Sequence, residues 1–249
     1  MRRKALGRLL AVLLALAVWQ IASLCLHIPA LLPGPWVVGK RLVSLLLAPD
    51  AWCSLGTTSL RILLGFLPAV LLGVSAAAAE RKLPIVQTVL WPWVAAMRAV
   101  PVASLTVICL IWFSSGRLAS LITFLMAFPI LYSGISSGIR AADPKLTEMA
   151  KRFDVPTGKR IRCVLLPQLR PWLHTAAVSS VGLCWKACAA AEVIGVVSGS
   201  VGEQLYLSKV YYDVAGLLAW TVLVILCSAL WERLAGCLTD LICGRWSKL

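Results

Sequence analysis

Residues 148–171 read EMAKRFDVPTGKRIRCVLLPQLRP. Six of the chain's 24 Lys and Arg residues lie in this stretch (Lys151, Arg152, Lys159, Arg160, Arg162 and Arg170), with Lys145 just ahead and Pro156, Pro167 and Pro171 punctuating it. On both sides the chain is apolar. Of its 249 residues 60% are hydrophobic and only 14% charged, and the mean hydropathy is +0.89. A soluble domain spends about a quarter of its residues on charge. The deficit, together with 11 tryptophans, points to lipid as the solvent.

Working outward, uncharged runs occupy Leu9–Leu26, Ile62–Ala79, Ala99–Gly116, Leu118–Ile139 and Val214–Trp231. Each is long enough, or nearly so, to cross a bilayer core of about 30 Å. Between Pro171 and Gly202 only Lys186 and Glu192 are charged, so a further span is expected there. The reading is an all-α polytopic membrane protein with about six transmembrane helices, near 9–28, 58–79, 84–113, 118–138, 171–196 and 213–235. The basic start followed by an apolar run resembles a secretory signal. The run is long for one and has no clear small-x-small cleavage site, so a retained first helix is expected. Residues 1–57 then form that helix and an outer interfacial segment, with "VVGKRLVSLLL" as a short helix. Residues 58–249 form a five-helix core with its charged loop at 140–171. This arrangement puts 17 Lys and Arg residues on one side and five on the other, with Arg98 and Lys186 at membrane depth. Cytoplasmic loops are enriched in Lys and Arg; both termini and the opening stretch are therefore expected in the cytoplasm.

Within that stretch Asp143-Pro144 is a good helix start. Leu146, Met149, Ala150 and Phe153 recur at i, i+3, i+4 and i+7 as one apolar face of a cationic helix. "DVPTG" reads as a tight corner, because Pro156 disfavours helix at Val155. A second amphipathic helix is expected to end at Leu166-Pro167, with Pro171 introducing the next span. Such a hairpin suits a stand-alone channel or secondary carrier whose loop lies on anionic headgroups, or a docking element for a cytoplasmic partner.

Other chemistry is sparse. The net charge of +14 is distributed as a topology signal and does not indicate nucleic acid. Nine cysteines form no C-x-x-C pair and no cluster of metal spacing. "TGKR" ends in Arg where a phosphate-binding loop needs Ser or Thr, so the chain shows no sign of hydrolysing ATP itself, and if transport is active the energy should come from a separate subunit. Ten acids without an intramembrane pair, and His27 and His174 expected on opposite sides, argue against an enzyme. Arg98, Lys186 and Glu192 sit inside predicted spans, where a lipid-facing charge costs roughly 2.5–3.5 kcal/mol; Pro101, just past Arg98, is expected to kink the third span. The three charges are expected to face protein or water, either as an Arg98–Glu192 or Lys186–Glu192 pair that orients helices, or along a translocation path.

"EMAKRFDV" (Glu148–Val155) followed by "VLLP" (Val164–Pro167) resembles the EAA loop of permease subunits of binding-protein-dependent ABC importers. Glu148, Ala150, Val164, Leu166 and Pro167 fall on that pattern. "SLRILLGF" (59–66), "MRAVPVASL" (97–105), "IWFSSG" (111–116) and "AEVIG" (191–195) resemble segments of the nitrate/sulfonate/taurine-type group. Met149 stands at the family's first Ala, and Asp154 at its Gly, where Gly fits a corner needing positive φ at less cost than Asp. The resemblance implies a type I ABC importer permease fold in a bacterial inner membrane, with the loop as a coupling helix. Glu148, Met149, Ala150, Lys151, Phe153, Asp154, Val155, Pro156 and Thr157 would face a cytoplasmic ATPase that holds ATP and Mg, this chain binding no cofactor. A substrate-binding protein outside the membrane and a second permease copy, most simply as a homodimer, would complete the importer. Arg98, Lys186 and Glu192 become path candidates for a small anionic solute such as a sulfonate or oxyanion.

Overall fold

The computed structural model describes residues 2–26 and 31–246; His27 and Lys248 lie outside the described residues. The long apolar runs are helical, apart from breaks at Val100-Pro101 and Phe113-Ser114. The N-terminal helix α1 (Arg2–Leu26) leads to α2 (Pro35–Leu47), the expected short amphipathic helix, which packs on the last helix of the chain. Then come α3 (Pro49–Lys82), α4 (Ile85–Ala99), α5 (Val102–Trp112) and α6 (Ser115–Ala141). The charged loop holds α7 (Pro144–Arg152) and α8 (Thr157–Arg160). Finally α9 (Leu166–Gly195), α10 (Val201–Val210) and α11 (Val214–Trp246) complete the chain.

The spine is α3–α6–α9, with α6 sandwiched between the other two. Lipid tails are as apolar as leucine, so transmembrane helices associate by close packing of small residues. A Cβ on Gly65 of α3 would collide with the Ser120 carbonyl and sit 2.7 Å from Thr123 Cβ of α6. On the other face of α6, a Cβ on Gly134 would lie 2.6 Å from Ala176 Cβ of α9. Leu118, Ala119, Ile122 and Ala127 of α6 are fully enclosed between its neighbours. Helix α11 closes against α9, bringing Trp231 edge-on to the buried Trp185 at 6.3 Å.

Four helical stretches are long and apolar enough to cross a membrane among the described residues, or five if one bent pair counts as a single span, and Leu10–Leu26 of α1 adds a shorter apolar helix. Two details of the span reading need correction. The bent pair is α4 and α5. They meet at 106° around Val100-Pro101, where a mere kink within span 84–113 was expected. Proline disfavours helix at the residue before it, and Val100 is extended, with ψ 127°. The second helix of the loop does not end at Pro167 either. It continues from Thr157 to Gly195 as one 39-residue helix, because Ile161–Leu165 widens into a π-turn in which the Leu166 N–H donates to the Ile161 carbonyl. A π-turn admits a residue that cannot supply the regular ladder bond, and Pro167 follows it directly.

Replacing Gly65 by Ala forces α3 away from α6 and is expected to cost about 1–3 kcal/mol. Gly56→Ala, on the same helix with nothing within 4 Å, is the control. Thermal unfolding in mild detergent should separate the two variants clearly; equal midpoints would mean that the α3–α6 approach is looser than described.

Candidate functional site

The end of the molecule that carries residues 142–157, here the loop end, is built from the sequence's own start and stop signals. Asp143 caps α7, its Oδ1 accepting from the Lys145 N–H at 2.8 Å. The Asp143 N–H donates to Gln168 Oε1 at 2.7 Å, which ties α7 to the base of α9. At the other end of α7 the Asp154 N–H donates to the Lys151 carbonyl and the Val155 N–H to the Ala150 carbonyl, at 3.1 and 3.0 Å. These two bonds are the pair that closes a helix with a left-handed residue just past its end. That residue is Asp154, with φ 52°, at the position where the resembled pattern has Gly. Ala150 is buried beneath the corner, whereas Phe153 is 78% exposed and Met149 51% exposed. Glu148, Lys151, Pro156 and Thr157 are exposed around them. The loop end thus presents an aromatic tip on a helix capped at both ends.

Glu192 is fully buried near the opposite end, but neither expected partner is there. Its Oε1 accepts from Arg61 Nη1 at 3.0 Å, and its Oε2 from Thr58 Oγ1 at 2.9 Å and the Gly202 N–H at 3.2 Å. Arg61 also donates to the Ser198 carbonyl. The cluster fastens α3, α9 and α10 together. Arg61 is one of the five cations that the sequence places on the outer side, with no partner assigned; its signal was Thr58 and Arg61 on one face of a helix that begins nine residues before the expected span. Lys186 is exposed, between buried Trp185 and Ala187, and is not among Glu192's partners.

Arg98 belongs to a different constellation, between α4 and α6. Its Nη2 donates to the Pro129 carbonyl in mid-α6 at 3.1 Å. Nearby, Glu80 of α3 accepts from Tyr132 Oη at 2.8 Å, Ser136 Oγ at 2.6 Å and Arg140 Nη1 at 2.6 Å. Tyr132, Ser136 and Arg140 stand at i, i+4 and i+8 on α6, a polar stripe at helical spacing that was legible in the sequence and missed. Between the helices lies a cleft of about 160 Å³, lined by Gln87, Trp91, Arg98, Ser133, Ser136 and Arg140. Two guanidiniums against one carboxylate leave the cleft with a positive excess beside hydroxyl and amide donors, a setting for an oxyanion. Among the described residues no group of three or more His, Cys, Asp or Glu could hold a metal.

Comparisons with known proteins agree with this architecture. The family model described as the binding-protein-dependent transport system inner membrane component matches residues 69–240. The taurine transport system permease protein TauC of Escherichia coli K12 is 27% identical over 219 residues, covering 83% of this chain and 79% of that one. The putative aliphatic sulfonates transport permease protein SsuC of Bacillus subtilis 168 is 27% identical over 190 residues, covering 74% of this chain and 67% of its own length. In fold, the chain matches a crystal structure of an amino acid ABC transporter with histidines, with TM-score 0.58 and 16% identity. That match covers 83% of this chain and 94% of that one.

Two substitutions probe the local chemistry. Arg61→Ala leaves a buried carboxylate without its cation, which costs about 3–5 kcal/mol; Arg61→Met with Glu192→Gln should restore much of the loss in detergent melts. At the corner, a β-branched residue in the left-handed region costs about 1–2 kcal/mol. Asp154→Val should therefore speed amide exchange at 153–155, and Asp154→Gly should slow it.

Proposed function

Because the chain belongs to the family of binding-protein-dependent transport system inner membrane components, we propose that it imports a small organosulfonate and receives its driving force through the capped helix α7. As a member of this family it is a multi-pass inner-membrane permease subunit of an ABC importer, not an enzyme, and works with an ATPase and a substrate-binding protein. The observation that carries the finer reading is the corner at Asp154, which holds Phe153 and Met149 out from the loop end while Ala150 anchors the helix beneath. On this reading Phe153 and Met149 enter an apolar cleft of the ATPase. Glu148, Lys151, Val155, Pro156 and Thr157 surround that contact, and ATP and Mg reside on the ATPase alone. The excess of Lys and Arg at the loop end supports a cytoplasmic placement of this end and of both termini.

The substrate class rests on the Arg98–Arg140 cleft together with the taurine and sulfonate relatives. A sulfonate presents three acceptor oxygens to donors of the kind that line this cleft. Lys186, exposed at membrane depth, needs water or protein beside it; we place it where a second copy of this chain completes the path in a homodimer. Glu192, with its oxygens committed to Arg61, Thr58 and Gly202, supports that path from behind.

Two measurements test the reading. Phe153→Ala and Glu148→Ala should each reduce co-purification of the ATPase from native membranes; undiminished recovery in both would place the coupling elsewhere. In a reconstituted importer Arg98→Ala should raise the KM for taurine on the order of ten-fold or more, the loss of a charge-assisted contact, with Arg98→Lys intermediate. An unchanged KM would remove Arg98 from the path.

A further inference from the structure

A second cavity, of about 510 Å³, opens at the loop end between α3, α6, α7 and the α8–α9 helix. Its rim carries four cations, Arg81, Lys82, Lys151 and Arg160, and no acid lines it. None of the four is in an ion pair among the described residues. Its floor is apolar, and Val74, Ile135 and Leu173 are shared with a third cavity of about 490 Å³ that runs between α3 and α11 and has no charged lining residue at all. The two adjoin along these three residues, so a cationic mouth borders an aliphatic bore.

The dimensions fit one leaflet. Along α3 the aliphatic part runs from Ile62 to Val74, a rise of about 18 Å at 1.5 Å per residue. One leaflet supplies about 15 Å of hydrocarbon, half the bilayer core. The next two turns of α3 bring the groove to Arg81 and Lys82, at the depth where headgroups follow acyl chains. Basic pockets between transmembrane helices on the cytoplasmic side accept anionic headgroups. The chain's own first helix is a poor occupant by charge, because its sequence opens on Arg2, Arg3, Lys4 and Arg8.

We propose that this groove binds one anionic phospholipid, its phosphate among Arg81, Lys82, Lys151 and Arg160 and an acyl chain along Val74, Ile135 and Leu173. Because Lys151 belongs to α7 and Arg160 to α8, the headgroup bridges the end of α3 to both limbs of the loop. The lipid then acts as a removable brace on the loop, and its charge decides whether the brace is present. The inference requires a membrane but not the sulfonate reading, so either can fail without the other.

The test is native mass spectrometry of the full chain released from nanodiscs containing phosphatidylglycerol or phosphatidylcholine. One phosphatidylglycerol should be retained in preference to phosphatidylcholine. Arg81→Gln, Lys82→Gln and Arg160→Gln should each weaken retention about five-fold, as removal of one cation near a lipid surface does. Val74→Trp, which fills the bore and leaves the rim intact, should also weaken it. Equal retention of the two lipids, or retention indifferent to all four variants, overturns the proposal. So does displacement by inorganic phosphate with no effect of Val74→Trp, which would reveal a headgroup-only anion site. Disulfide trapping between two Val74→Cys copies, with lipid excluded, would assign the groove to the contact between copies and overturn it equally.

Discussion

Everything in this molecule hangs on how closely α6 can approach its two neighbours. In hydrocarbon there is no water to drive helices together, so the attraction comes from contact, and contact needs backbones that can meet. Gly65 lets α3 reach α6 on one side, and Gly134 lets α9 reach it on the other. The functional features are then placed by that spine. The Glu80 cluster requires α3 beside α6, and Glu192 can find Arg61 and Thr58 only because α9 is held near α3. The cleft at Arg98 needs α4 folded back on α6.

The charged groups divide by how they meet the cost of leaving water. Glu192 is enclosed and its oxygens are occupied by a guanidinium, a hydroxyl and a backbone amide, which is the condition under which a buried ion is tolerated. Glu80 is nearly enclosed, while its partner Arg140 remains 53% exposed at the loop end. Among the described residues Arg98 and Lys186 have no carboxylate partner of this kind, and both stand at surfaces. That contrast separates charges that hold helices together from charges left at surfaces.

Much of this was readable from residue patterns. The loop was legible in detail, since Asp143-Pro144 fixes where α7 begins, and the misfit of Asp at the family's Gly position pointed to the left-handed corner that Asp154 occupies. The partners of Glu192 were not legible. Two cations at membrane depth looked like the obvious mates, and a one-dimensional chain gives no way to know that Arg61, 131 residues away, shares its level in the bundle. Prolines misled in both directions. Pro167 looked like a stop, yet a π-turn carries the helix through it; Pro101 looked like a kink, yet Val100 adopts an extended conformation and the chain turns a corner. In each case the local rule states what proline forbids, and the surrounding packing chooses among what remains.

The uninterrupted helix from Thr157 to Gly195 has a mechanical meaning. At 1.5 Å per residue its 39 residues make a rod of nearly 60 Å. One end of the rod is the corner beside Asp154, and the other passes Glu192 in its last turn. A tilt of about 5° imposed at the corner would sweep the far end through about 5 Å for a rod of that length. That is more than the ion pair between Arg61 and Glu192 can follow while α3 stays fixed. A small push at the loop end would thereby reach the opposite end as a choice between a latched and an unlatched junction of α3, α9 and α10.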